Sequence, residues 1–186
     1  MKKNDIIFAI ICGLAVSWLT VDFFGTYGLI FIIIFPLLSV LGLWITEVIG
    51  KKIPFIHQAG KFGLAGAFAD VIDIKVFQLL FWLVPFSLLF KAVSFLIATF
   101  AKYWLNKTWA FHNGFLPNGK KPYTEEAIFF LVTLVGLGIN VVSFYYFGKI
   151  KVGLPVNTWT ELSIILAALV SAIWNFAGYK FLVFKK

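Results

Sequence analysis

Residues 28–48 read GLIFIIIFPLLSVLGLWITEV, and the one ionisable group in that stretch is Glu47, close to its end. A helix that crosses the hydrocarbon core of a bilayer needs about 20 mostly apolar residues at about 1.5 Å each. This stretch meets that requirement alone. Working outward, five more segments of the same kind lie at 6–23, 62–83, 87–108, 126–147 and 160–182. The pattern predicts an all-α polytopic bundle of six transmembrane helices. Turn and breaker residues fill the gaps: Gly25 and Gly28, then Gly50-Lys51-Lys52 with Pro54, then Pro85, then a polar loop from His112 to Tyr123. Thr124 is expected to cap the fifth helix, with Glu125 and Glu126 against its positive end. Thr158 and Glu161 read as a capping box for the sixth.

Composition supports the same class. Of 186 residues, 61% are apolar and 13% charged, where a soluble domain has about 45–50% and about 25%. There is too little polar surface to clothe a soluble globule, and far too much apolar surface for a disordered chain. Cys12 is the single cysteine and lies inside an apolar run, so no disulfide framework is expected. His57 and His112 both fall in connecting segments. No metal site, cofactor or nucleophile–base pair suggests itself, and the chain does not read as an enzyme. The apolar stretch from Ile6 is long and a second follows at once, unlike a cleaved signal peptide.

All sixteen basic residues are lysine, and they sort by side. With the N-terminus cytoplasmic, Lys2, Lys3, Lys51, Lys52, Lys61, Lys102, Lys107, Lys120, Lys121, Lys180, Lys185 and Lys186 fall inside and only Lys149 and Lys151 outside. That asymmetry is the positive-inside signal of a multi-pass cytoplasmic-membrane protein with both termini inward. The same use of lysine argues against nucleic acid as a partner.

Residues 62–111 and 129–184 look like two copies of one helical hairpin. Phe62 opens the first and Asp73 follows; Phe129 opens the second and Asn140 stands at the same offset. The copies end in Asn106-Lys-Thr-Trp-Ala-Phe111 and Tyr179-Lys-Phe-Leu-Val-Phe184. Two hairpins of equal orientation predict a pseudo-axis along the membrane normal. The stretch Lys61-Phe-Gly-Leu-Ala-Gly-Ala-Phe-Ala-Asp-Val-Ile-Asp73, followed by Ala101-Lys-Tyr-Trp-Leu-Asn-Lys-Thr-Trp-Ala-Phe111, resembles the GtrA-like family of small four-helix membrane proteins. Gly136-Leu-Gly-Ile-Asn140 extends the likeness, which covers residues 61–186. The family's paired arginines after Asn106 are here Lys107 and Thr108. Residues 1–50 form an extra N-terminal hairpin with no counterpart in the minimal family form. The resemblance implies translocation of polyprenyl-phosphate-linked sugars for cell-surface polysaccharide modification.

Among the ionisable residues within predicted helices are Asp70, Asp73, Lys75 and Lys91. Each costs about 2.5–3.5 kcal/mol at a helix centre on insertion scales, so each is expected to turn from lipid. Asp70 and Asp73 share one face and lie about 12 and 16 Å beyond Phe62. Asp73 with Lys91 is expected either as a structural ion pair or as part of a sugar cleft. That cleft between the hairpins would also hold Asp70, Asn140, Trp174 and Asn175, and its two carboxylates would suit proton coupling. Lys102, Asn106, Lys107 and Lys180, at the inner interface, are expected to hold the lipid phosphate.

The leading expectation is therefore a flippase for polyprenyl-phosphate-linked sugar. Two others stand beside it. One is a non-transporting scaffold for a membrane glycosyltransferase, with Gly13 or Ala15 allowing a partner helix to approach. The other is a proton-coupled exporter of the small multidrug type. A four-helix core is thin for enclosing a sugar, which invites a homodimer.

Overall fold

A computed structural model describes residues 1–83, 87–111, 122–150, 153 and 156–184. Among them every regular element is helical: α1 (Lys3–Phe24), α2 (Phe31–Gly50), α3 (Pro54–Leu83), α4 (Ser87–Leu105), α5 (Pro122–Lys149) and α6 (Val156–Gly178). A 3-10 turn, Gly25–Ile30, links α1 to α2, and a π turn extends both α4 (Asn106–Ala110) and α6 (Tyr179–Val183). The six helices match the six expected segments. Lys3–Val21, Gly28–Gly50, Thr124–Lys149 and Leu166–Val183 are long and apolar enough to cross a membrane. α3 is longer still, but Asp70, Asp73 and Lys75 fall within six of its residues.

Helix starts differ from the capping expectations. α5 begins at Pro122, a residue whose missing N–H costs nothing in a first turn, so Thr124 lies inside the helix. α6 begins at Val156, which puts Thr158 inside it too; the side chains of Thr158 and Glu161 lie outside the described residues. α3 starts eight residues before Phe62, adding about 12 Å of helix that carries His57 and Lys61.

The chain divides into two compact units, Met1–His112 and Asn113–Lys186. The first contains α1 to α4, so the extra hairpin packs with the hairpin that follows it. Gly13 is where α1 meets α2: a Cβ there would collide with the backbone of Phe35 and Pro36. The expected partner-docking glycine is thus used inside the protein's own hairpin. Pro36 interrupts the hydrogen-bond ladder of α2. One turn earlier Ser17 Oγ sits 2.7 Å from the Phe31 carbonyl, binding α1 to that region. Gly60 lies against Thr46 in the same way, bringing α3 onto α2. The Met1 ammonium, 2.7 Å from Glu47 Oε1, joins the start of α1 to the end of α2.

The second unit is one hairpin. Gly136 and Gly178 set its spacing, the first against the Asn175 amide and the second against the Val132 side chain. Ser171 Oγ donates to the Gly136 carbonyl at 2.7 Å, and Trp174 Nε1 to the Val132 carbonyl at 3.1 Å. In both units a phenylalanine of the hairpin's first helix meets the phenylalanine that closes its π turn. Phe62 and Phe111 stand 6.5 Å apart, and Phe129 and Phe184 6.4 Å, ring centre to ring centre.

Candidate functional site

The chemistry-bearing residues of the first unit gather where α4 ends. Beyond Leu105 the helix widens into a π turn, closed by Phe111 N–H donating to the Asn106 carbonyl at 2.9 Å. Single π turns inside helices are rare and are often found at functional sites. Widening rotates the residues after Leu105 inward, so Asn106 is 0% exposed and Lys107 only 7%. The Lys107 ammonium donates to the Tyr103 hydroxyl at 3.0 Å and lies 5.3 Å from that ring. Asn106 Nδ2 donates to the Lys102 carbonyl at 2.9 Å. A carbonyl only accepts, which fixes the amide's orientation. Asn106 Oδ1 then points into the interior with no hydrogen-bond partner.

Lys102, one turn before, places its ammonium 5.9 Å from the Phe62 ring and interacts electrostatically with Asp70. Asp70 and Asp73 therefore serve different neighbours. Asp70 is exposed and interacts electrostatically with Lys102. Asp73 is half-buried and accepts from Ser94 Oγ at 2.6 Å. Lys91 belongs to α4, but its side chain lies outside the described residues.

The second unit carries the remaining candidates. Its π turn is closed by Phe184 N–H donating to the Tyr179 carbonyl at 2.7 Å. Tyr179 occupies the position that Asn106 holds in the first unit, is equally buried, and is internally satisfied. Its hydroxyl shares a 2.7 Å hydrogen bond with Thr133 and its ring stacks on Phe129 at 4.3 Å. Lys180 lies 5.8 Å from the Phe176 ring and 5.7 Å from that of Phe181. Asn175 is 8% exposed and its Oδ1 is buried without a partner. Asn140 is half-buried, and Trp174 is 37% exposed with its N–H already engaged.

One polar cluster escaped the sequence. Lys61 Nζ and Asp5 Oδ1 form a 2.8 Å ion pair whose side chains are 2% and 6% exposed. Trp109 Nε1 donates to the same Asp5 oxygen at 2.8 Å, and Lys61 lies 5.5 Å from the Trp109 ring. Phe8 packs on that indole at 4.4 Å. Trp109 is turned inward to meet α1. Asp5 sits ahead of the first apolar segment, where a carboxylate reads as a solvated helix start, and no local spacing links it to a residue 104 positions on. Burial, then the Lys61 ammonium, hold the nearby His57 imidazole below its usual pKa of 6.5. Among the described residues, no group of three or more His, Cys, Asp or Glu side chains is arranged to hold a metal ion.

A family model described as GtrA/DPMS, transmembrane domain, matches residues 61–184. No curated protein and no solved structure gives a significant match.

Proposed function

Since the chain belongs to the GtrA/DPMS transmembrane-domain family, whose model spans two thirds of its length, we propose that it is a non-enzymatic carrier of polyprenyl-phosphate-linked sugar. The family match and the apolar helices make it a multi-pass membrane protein concerned with lipid-linked sugars. Translocation between leaflets of the cytoplasmic membrane is the reading that the π turn of α4 supports best.

The observation that carries it is the state of Asn106 and Lys107. Keeping polar groups buried costs free energy unless they are bonded, yet Asn106 Oδ1 is buried and unbonded. The sequence suggested Asn106 as a phosphate donor. One of its two N–H groups is given to the Lys102 carbonyl, and in this reading its unbonded oxygen accepts from a sugar hydroxyl. The phosphate falls to Lys107 and Lys102, whose ammoniums lie beside aromatic rings and would donate to an oxyanion. Lys180, cradled by Phe176 and Phe181, is the second unit's corresponding cation. Asp70, exposed and in the field of Lys102, accepts further hydroxyls or a proton. The polyprenyl chain stays in lipid throughout. No nucleotide-binding motif is present in the sequence, so mass action or an ion gradient would supply the driving force.

Exchange of a fluorescent polyprenyl-phosphate hexose between the leaflets of proteoliposomes tests the proposal. Wild-type protein should accelerate exchange over protein-free vesicles, and Lys107→Met should lower the rate about tenfold or more, the loss of one charge-assisted hydrogen bond. A folded wild-type sample no faster than empty vesicles would sink it.

A further inference from the structure

Beyond the inner-face residues, the first unit carries a second polar group that the carrier reading leaves unused. Lys75, Gln78, Leu79 and Trp82 stand at positions i, i+3, i+4 and i+7 of α3, one continuous stripe of the helix. Across from it, Trp18 of α1 lies with its ring centre 4.2 Å from the Lys75 ammonium. With Val76 these residues line an open pocket of about 540 Å³. Trp18 is 58% and Trp82 81% exposed, so neither indole is packed into the interior. On the expected topology the stripe rises through the outer half of the membrane, with Lys75 about 12 Å of helix below the Leu83 end.

The order of chemistry along the stripe matters. An ammonium lies deepest, a carboxamide one turn higher, and an indole a further turn toward the outer surface. A sugar carried on a membrane-embedded isoprenoid phosphate has the same order: chain, then phosphate, then hydroxyl-rich ring. We propose that this pocket is the outer-leaflet station for such a head group, an inference that rests on the carrier reading above. Lys75 pairs with the phosphate, Gln78 hydrogen-bonds the hydroxyls, and Trp18 and Trp82 stack on the apolar faces of the sugar. Trp18 precedes the family-matched residues, so one wall of the station comes from the extra hairpin, which thereby acquires a role in recognition.

The test is equilibrium binding to the purified full chain in detergent. Three short-chain probes are compared: a fluorescent isoprenyl-phosphate hexose, the isoprenyl phosphate without sugar, and phosphatidylglycerol. Lys75→Gln should weaken both isoprenyl phosphates about tenfold or more, while Lys75→Arg restores binding. Trp82→Leu, at a position 81% exposed, should weaken the hexose probe and leave the sugar-free one nearly unchanged. Phosphatidylglycerol binding as tightly as the hexose probe, or hexose binding indifferent to Lys75→Gln and Trp82→Leu, overturns the assignment. The carrier reading fails separately. Lys75-dependent hexose binding without leaflet exchange would remove the carrier and keep the pocket, whereas exchange with Lys75-independent binding would remove only the pocket.

Discussion

Asp5→Asn takes the counter-charge from an ammonium that is 2% exposed and leaves Lys61 buried with an amide in place of a carboxylate. The pair is separated by 2.8 Å and shares its acceptor oxygen with Trp109 at 2.8 Å, so the change weakens two bonds together. Breaking one side of a buried ion pair costs about 3–5 kcal/mol, because the remaining charge has lost its compensation. For a chain of this size, about 2–4 °C of melting temperature accompanies each kcal/mol, which gives a fall of about 6–20 °C. Cys12 supplies the assay. It is the single cysteine of the chain and is 0% exposed, so a thiol-reactive fluorogenic dye reports its uncovering as detergent-solubilised protein is heated. Asp5→Leu combined with Lys61→Met removes both charges and should recover most of the loss, since paired removal is often neutral. A single variant melting within about 2 °C of wild type would refute the reasoning, given that scale. A double variant as unstable as the single would do the same, because the cost would then be lost packing and not an orphaned charge.

Other consequences follow from the same packing. Gly136→Ala pushes a methyl group into the Asn175 amide and should cost about 1–3 kcal/mol in the dye assay, with Asn175→Ala restoring stability in the double variant. Ser94→Ala removes the 2.6 Å donor to Asp73 and should lower stability by about 1.5–3 kcal/mol, the range for a hydrogen bond to a charged group. Gly13→Leu should separate α1 from α2 at Pro36 and yield little folded protein by size-exclusion chromatography. His57 resists protonation in the folded protein, so the unfolded chain binds protons more readily as pH falls below 6.5. Stability should be full above that pH and decline below it, and His57→Gln should flatten the profile of melting temperature between about pH 7.5 and 5.5.

Much of this protein is legible in one dimension. Helix number and approximate ends follow from apolar runs, because a bilayer demands the same length of every crossing segment. The ends that moved are those set by local chemistry: Pro122 starts α5 two residues before Thr124, and α3 gains polar turns that hydropathy reads as loop. Lys107 and Asn106 stood out as a motif, but not their inward rotation, since a π turn changes hydrogen bonding without leaving a compositional mark.

Tertiary structure alone decided which polar groups meet. Asp5 finds Lys61 and Trp109, Asp73 finds Ser94, and Trp18 finds Lys75, with between 21 and 104 residues separating the hydrogen-bonded partners. Hydropathy is a sum over neighbours in sequence and is blind to such pairs. Which charge compensates which is settled by the approach of helices at Gly13 and Gly60, where a missing Cβ lets backbones close. The sequence by itself therefore determined that the chain lives in a membrane and belongs near lipid-linked sugars. Helix packing decided where its few buried charges are held, because in a low-dielectric interior position decides whether a charge is paired.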